Sequence, residues 1–478
     1  MVSTTPTPTA DLTSDSNRFG VERRGIEHIP DAERRGTPRQ LGMMWSGVVL
    51  NVGPLVYGAL LVSFGLNWWQ CLLAIVLGNL TWLIAGLCSL AGPAAGSTTF
   101  AINRAPFGRN GNRPIALFNW IMQVGYEVLD LVLMVLAASA LARFAGVELS
   151  GAGKVALVLG LAVVQSVLPV IGHAAVTRVL RALVIPFAAL FCVLAALTAT
   201  RLHLTPMPSA GWAAFLGGVA LSASGAGLGW ASSAADYSRY LPRTASRRGI
   251  VTAVTLGGGI PQTLLMVVGA GAALVTPSAS DPITGLPAAY PGWFVLPYLV
   301  LLIVQMTALN AVDLYSSGVT LQAIGVPIGR WQAVVLDGVI CAGIGLAVVY
   351  SGDFNTLLGN FLLFMIIWFA PWAAIFVVDY LLRRGRYDIP SLVGSAGRYA
   401  RPGGLFMPGV LAQAAGMLVA VLWIHTTVFT GPLAAATGGL DLSAPAGFLV
   451  AGALYLILAR NRVRAEALAC SVRREGAT

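Results

Sequence analysis

Residues 225–230 read Gly225-Ala226-Gly227-Leu228-Gly229-Trp230, three glycines in alternation inside an apolar stretch that runs from about 211 to 236. Glycine leaves helical geometry at little cost. Inside a bilayer, however, unwound backbone is tolerated only where it lines a protein cavity, because lipid cannot hydrogen-bond the freed groups. One other apolar stretch, about 41–63, breaks in a similar way at Asn51-Val52-Gly53-Pro54. Pro54 there lacks a backbone N–H and crowds the preceding turn. Composition places both stretches in a membrane. The 478 residues are 57% hydrophobic and 10% charged, with mean hydropathy +0.78. An average soluble chain is about 45–50% apolar and about a quarter charged. So few charges cannot cover a soluble globule of this length, which excludes a soluble multidomain enzyme, a coiled coil and a disordered chain.

A hydrocarbon core about 30 Å thick needs roughly 20 apolar residues per helix. Twelve stretches qualify: about 41–63, 66–91, 115–142, 153–172, 180–200, 211–236, 250–276, 291–324, 332–350, 355–382, 406–427 and 444–460. Each run is long and continuous, without the alternation of a barrel strand, so the expected fold is an all-α integral membrane protein with 12 transmembrane helices. The first forty residues hold Pro, Thr and Arg but no apolar core of a signal peptide. Cys71, Cys88, Cys192, Cys341 and Cys470 show no paired or metal-ligand spacing, so neither a disulfide framework nor a metal site is expected.

Charge orients the bundle. Formal charge is +10, and Lys154 is the single lysine. The arginines sit between apolar runs and are not interleaved with aromatics, so no nucleic-acid partner is expected. With the N-terminus inside, 26 of the 29 basic residues fall on the cytoplasmic side and only Arg143, Lys154 and Arg201 fall outside. That asymmetry predicts a multi-pass protein of the cell membrane with both termini cytoplasmic.

The two breaks lie five helices apart. Because five is odd, two five-helix repeats would insert with opposite topology, the pattern of an inverted-repeat secondary transporter with its site at the breaks. The plainer alternative is that Gly and Pro here only ease close packing. No G-x-x-x-x-G-K-[ST] run is present, so ATP-driven pumping is not indicated. The expected organisation is a cytoplasmic tail over 1–40 and a ten-helix core over 41–382, with repeats about 41–200 and 211–382. A linker over 383–405, two further helices over 406–462 and a cytoplasmic tail over 463–478 complete it.

Ionisable and polar groups inside the membrane are functional suspects. Helix 3 carries Gln123, Tyr126 and Asp130 at i, i+3 and i+7 on one face, where an amide, an aromatic and a carboxylate could hold a flat heterocycle. Glu127 stands beside that face; two neighbouring carboxylates are hard to ionise together, which suits a proton carrier, while the alternative is a polar network between helices. Helix 8 carries Asn310, able to meet a base edge as donor and acceptor, and Asp313 at i+3 on a shared wall. Thr307, with Ser316 and Ser317, supplies hydroxyls of the kind a sodium site uses; interhelical bonding is the plainer reading of them. Trp230 stands beside the glycine break, placed to cover one face of a ligand, and Asp236 with Arg239 reads as a cytoplasmic structural or gating pair. Asp379 is expected to cap a cytoplasmic end beside Arg383. Asp337, His173 and His425 take no role.

The run Ala234-Ala235-Asp236-Tyr237-Ser238-Arg239-Tyr240-Leu241-Pro242 after Gly229-Trp230 closely resembles the purine–cytosine permeases of the nucleobase:cation symporter-1 family. Three further stretches resemble its bacterial cytosine-permease branch: Val56-Tyr57-Gly58-Ala59 through Leu66, Ser89-Leu90-Ala91-Gly92 through Gly108, and Asn310 through Gly318. The resemblance implies a LeuT-type 5+5 inverted repeat with broken helices 1 and 6 plus two additional C-terminal helices. It also implies symport of a nucleobase or related small heterocycle with protons or sodium, without a cofactor. It places the base between Tyr126 and Trp230, with polar contacts from Asp130, Asn310 and Asp313; Gln123, by its helical face, and Gly229, at the break, are further binding candidates, and Glu127, Asp130 and Thr307 are the candidates for ion coupling.

This chain departs from the family pattern at several points. Tyr126 replaces the usual Trp, Val49 stands where relatives often carry Asn, and a tandem Asn pair is reduced to Leu309-Asn310. Thr307-Ala308 has one hydroxyl where the family has two, which weakens sodium relative to protons. A carboxylate at Asp130 or Asp313 favours a ligand with several N–H donors, or a cationic one. The expected function is therefore import of cytosine or purines coupled to a cation gradient. The alternatives are another heterocycle (allantoin, a hydantoin or a vitamin-like ring) and, remotely, a channel or membrane enzyme. A channel filter or a histidine cluster would mark the last two, and the sequence shows neither. Green fluorescent protein fused to either terminus should fluoresce in intact cells; a dark but membrane-inserted fusion would overturn the orientation.

Overall fold

The computed structural model describes residues 25–475 apart from 205, 352–353, 395–396 and 427; the expected N-terminal tail lies outside the described residues as far as residue 24. Among the described residues eleven helices are long and apolar enough to cross a membrane, and a bent pair makes a twelfth. The first, α1, is that pair, Pro38–Val49 followed by Val52–Ser63 at 57°. Then come α2 (Trp68–Ala95), α3 (Arg109–Phe144), α4 (Gly151–Ile171), α5 (His173–Ala199) and α6 (Trp212–Ser238). The second half holds α7 (Arg247–Val275), α8 (Gly292–Ile324), α9 (Arg330–Ser351), α10 (Phe354–Arg383), α11 (Met407–Trp423) and α12 (Ser443–Glu475). Among the described residues no sheet forms; one isolated bridge joins His425 and Thr430. The all-α membrane architecture is as expected, although α12 stays helical through the segment expected as a tail from 463.

Local chemistry sets the helix starts. Thr37 and Gln40 form a capping box ahead of α1 with Pro38 at its first position, and Asn67 and Gln70 do the same for α2. Between α4 and α5 the chain turns on Gly172 alone, whose φ of 122° is open to glycine. Along the bundle α3 packs against α8, α7 against both halves of α1, and α12 against α10 and α11.

Several of the arginines counted in the charge asymmetry also have structural work. Arg104, between α2 and α3, donates to the carbonyls of Leu392 (2.7 Å), Val393 (3.2 Å) and Ala323 (3.4 Å). Burial, with Arg109 and Arg113 nearby, pulls its guanidinium down to about 10, so it stays charged at neutral pH. Arg330 donates to Pro169 and, at 2.9 Å, to Val170 at the end of α4, while Arg34 donates to Pro93 (2.9 Å) near the end of α2. Each meets carbonyls that a helix terminus leaves without intrahelical partners.

The last two helices are tied to the core by charge. Arg383 bonds Asp379 at 2.8 Å and Glu466 of α12 at 3.1 Å; Arg401 reaches the same Glu466 at 2.7 Å, and the Tyr455 hydroxyl donates to Asp379 at 2.7 Å. Asp379 thus pairs with Arg383 as expected, within a larger network. Removing one partner of a buried pair costs about 3–5 kcal/mol, because the other charge is left unmatched. Glu466→Gln should therefore lower the melting temperature of detergent-purified protein clearly, with ligand affinity unchanged; an unshifted melting curve would refute the tie.

Candidate functional site

The two expected breaks are real discontinuities, and each is held by a side chain. In α1 the helix stops at Val49 and Asn51 caps the second half, accepting from the Gly53 N–H at 2.6 Å. The same amide donates to the Val48 carbonyl at 2.8 Å, so one residue closes both halves. Pro54 lies in the first turn of the new helix, where a missing N–H costs nothing. The break therefore sits just ahead of Pro54.

In α6 the helix runs to Ser224, turns at Gly225-Ala226, and resumes as Gly227–Trp230 before a 3-10 turn, Ala231–Ser233. The freed Gly225 carbonyl accepts from Gln262 of α7 at 2.7 Å, and the Gln262 oxygen accepts from the Trp82 indole at 2.9 Å. The glycines are there for close approach. A Cβ on Gly227 would lie 2.2 Å from the Trp82 Cα, and one on Gly225 would lie 2.5 Å from the Tyr57 ring. On Gly229 it would meet the Ser224 carbonyl at 2.5 Å and stand 3.6 Å from the Tyr126 hydroxyl.

Between these breaks and the middles of α3 and α8 lies a cavity of about 60 Å³. From α3 it is lined by Gln123, Tyr126, Leu129, Asp130 and Leu133; from α8 by Met306, Leu309 and Asp313; from α6 by Ser224, Gly225, Gly229 and Trp230. The α1 wall brings Val49, Asn51, Gly53, Pro54, Val56 and Tyr57, and α7 brings Gln262. The facing positions on α3 and α8 repeat one spacing: 123, 126 and 130 against 306, 309 and 313. Trp230 is steadied edge-on by Trp45 at 5.8 Å, and Tyr126 by Phe361 at 5.1 Å. Gln123 donates to Ser233 at 3.0 Å, joining α3 to the lower part of α6.

Six of the residues expected at the site therefore line one cavity: Gln123, Tyr126, Asp130, Gly229, Trp230 and Asp313. Asn310 does not line it. Its amide donates to Gln165 of α4 at 2.6 Å and to the Glu127 backbone carbonyl at 3.1 Å. Successive residues turn by about 100° on a helix, so Leu309 takes the cavity face and Asn310 the flank toward α4. Thr307 is also away from the cavity, its hydroxyl donating to Ile303 at 2.8 Å and to the Met134 sulfur at 3.2 Å. Glu127 sits behind α3, where its carboxylate meets the Cys341 thiol at 3.2 Å. Asp236 accepts from the Thr99 N–H at 2.7 Å, while Arg239 donates to the Gly25 carbonyl (2.7 Å) and the Tyr315 hydroxyl (2.8 Å). The two also stand within electrostatic range of each other near the end of α6.

Other residues were missed. Asp337, given no role from sequence, accepts from the Trp120 indole at 2.9 Å and the Ser317 hydroxyl at 2.7 Å; its being a carboxylate inside a span was the available signal. Tyr57 lay within a stretch already singled out, three residues past Pro54. Gln262 had no local signal, since its role depends on a carbonyl 37 residues away.

Fold and cavity together define a class, a multi-pass membrane transporter of LeuT type built around two broken helices. The sequence profile described as "Permease for cytosine/purines, uracil, thiamine, allantoin" matches residues 28–447. A putative purine-cytosine permease YxlA of Bacillus subtilis is 28% identical over 94% of this chain and 98% of its own length. Purine-cytosine permease fcyB of Emericella nidulans is 26% identical over 92% and 88%. Among solved structures, Mhp1, a nucleobase-cation-symport-1 family transporter in a closed conformation with bromovinylhydantoin bound, shares the fold at TM-score 0.69 and 19% identity, covering 94% of this chain and 95% of that one. Its inward-facing form gives TM-score 0.70 at 17% identity over 94% and 96%. The chain belongs to the purine–cytosine permease family of nucleobase:cation symporters: it is a transporter of small molecules in a lipid bilayer and not an enzyme.

Leaving a buried donor or acceptor unpaired costs about 1–3 kcal/mol per group. Gln262→Leu strands the Gly225 carbonyl and the Trp82 indole together, so it should lower thermal stability and weaken ligand binding more than tenfold. Wild-type values for both would show that α7 does not hold the α6 break.

Proposed function

We propose that this permease imports a nucleobase, cytosine or a purine, across the cell membrane by alternating access, driven by an inward proton gradient and with both termini cytoplasmic. The observation that carries the reading is the single cavity at both breaks, with Tyr126 and Trp230 on its walls and the carboxylates of Asp130 and Asp313 in the same space. A flat ring enters between the aromatics. Gly229 lets it approach the unwound backbone, and Gln123 fixes the depth of α3 against α6. At about 60 Å³ the space is far below the roughly 300–1,000 Å³ of drug-sized sites, so it excludes large ligands and must widen to admit even a small ring. The relatives named as purine–cytosine permeases support the substrate class.

The coupling ion we assign is the proton. The one hydroxyl at the expected sodium position, Thr307, is turned to its own helix and to Met134, whereas carboxylates stand in the cavity and behind it. The ion can drive transport only by binding one conformation better than the other. Asp236 and Arg239 are assigned to the cytoplasmic gate, since they tie the end of α6 to Thr99, Gly25 and Tyr315. Asn310 is reassigned to joining α8 with α3 and α4. A second reading, import of a hydantoin or ureide on the same fold, draws on Mhp1 with its bromovinylhydantoin.

Uptake of radiolabelled cytosine into proteoliposomes should be saturable, stimulated by an inward proton gradient and not by sodium. Adenine and hypoxanthine should compete. Trp230→Ala should abolish uptake while the protein still reconstitutes normally. No cytosine uptake by folded protein, with uptake of a hydantoin or allantoin instead, would replace the first reading by the second.

A further inference from the structure

The arginines at the basic end of the bundle fall into two groups. Arg34, Arg104, Arg330 and Arg383 are buried, and each meets backbone carbonyls or carboxylates. Four others surround one crevice of about 270 Å³, formed by the end of α2, the α6–α7 connection, the start of α7 and the end of α10. Arg243 comes from the connection, Arg247 from the first turn of α7, and Arg384 and Arg386 from the turn that follows α10. No Asp or Glu lines this space. Among the described residues Arg247, Arg384 and Arg386 take part in no ion pair. Arg243 donates to the Ala94 carbonyl at 2.7 Å. Arg247 gives one long bond, 3.5 Å, to the Arg384 carbonyl, of the five N–H donors a guanidinium carries.

The backbone holds the four together. Gly385, at φ 72°, lies against the end of α2, where a Cβ on it would stand 3.3 Å from the Ala94 Cβ. Arg384 before it has φ 53°, a left-handed conformation that is costly for a residue with a side chain. Glycine would meet that need more cheaply, so the arginine is there for its guanidinium. A bias of positive charge toward one side of the membrane asks only that arginines lie at this end. It does not ask them to converge on one space, where like charges repel unless an anion shares it.

Guanidinium forks match the oxygens of phosphate. The rest of the crevice names the carrier. Leu90 and Ile250, both buried, give it an apolar floor, and Leu381, one turn before Arg384 on α10, is 57% exposed on the flank of the bundle. An acyl chain can lie along that flank while its phosphate sits among the arginines, the arrangement by which basic pockets between membrane helices take anionic headgroups. We propose that this crevice binds the phosphate of an anionic lipid headgroup, which ties the end of α10 to the connection that follows α6. With the orientation proposed above, the lipid belongs to the inner leaflet; the site itself depends on no reading of the transported ligand.

The test uses full-length protein in detergent, titrated with phosphatidylglycerol or phosphatidylcholine while its melting temperature is followed. Phosphatidylglycerol should stabilise it saturably, as a ligand of the folded state does, and phosphatidylcholine should not. In the double variant Arg384→Gln with Arg386→Gln the apparent affinity should fall about 25-fold, about fivefold for each arginine removed beside an anionic headgroup. Arg248→Gln removes an exposed charge from the same end of α7 but outside the crevice, and should leave the affinity unchanged. Arg384→Gly separates binding from folding, because glycine takes the left-handed backbone freely. Without lipid it should melt no lower than wild type, yet bind phosphatidylglycerol about fivefold more weakly. Equal responses of wild type to the two lipids, or an equal loss in Arg248→Gln, would overturn the inference in favour of diffuse surface charge. Inorganic phosphate that stabilises the protein as well as phosphatidylglycerol does, at equal concentration, would overturn the lipid as the carrier. No arm measures transport, so failure here leaves the permease reading standing.

Discussion

Every backbone polar group inside a bilayer must find a partner within the protein, and the two breaks are where this chain meets that demand in an unusual way. Asn51 bonds the last turn of one half-helix and the first turn of the next. Gln262 holds the stranded Gly225 carbonyl and is itself held by Trp82. With the breaks supported in this way, α1 and α6 can part from helical geometry at membrane depth and leave a cavity between them. The glycines of α6 matter because their neighbours come too close for any side chain, Trp82 on one side and Tyr57 on another. The same residues that loosen the helix also pack it.

Charge is divided along the molecule. At one end, buried arginines such as Arg34, Arg104, Arg330 and Arg383 gather helix-terminal carbonyls and carboxylates into fixed contacts. In the middle, Glu127 meets the Cys341 thiol and Asp337 the Ser317 hydroxyl and the Trp120 indole, while Asp130 and Asp313 line the cavity. A cation-rich end and a cavity that, among the described residues, no Arg or Lys lines are a sensible division for a permease that must bind and release a small molecule.

Much of the site was legible because helical spacing is a local property. Gln123, Tyr126 and Asp130 share a face by spacing alone, and the structure puts that face on the cavity. Trp230 followed from its position beside three alternating glycines. What was not legible was rotation of a helix about its own axis. The sequence pointed to Asn310 as the cavity residue, and packing against Gln165 on α4 turns it away and leaves Leu309 on the cavity face. Thr307 likewise resembles an ion ligand until its hydroxyl is seen to bond its own helix.

By itself, then, the sequence determined the apolar spans, the sites of both breaks and the presence of carboxylates within the spans. All of these depend on hydrophobicity, glycine content and charge counted along the chain. Only the tertiary structure decided which flank of α8 meets the cavity, that Gln262 of α7 supports the α6 break, and that Asp130 and Asp313 line one cavity. Those facts concern side chains that meet across helices 37 to 183 residues apart. No local period encodes such meetings; the packing of the whole bundle does.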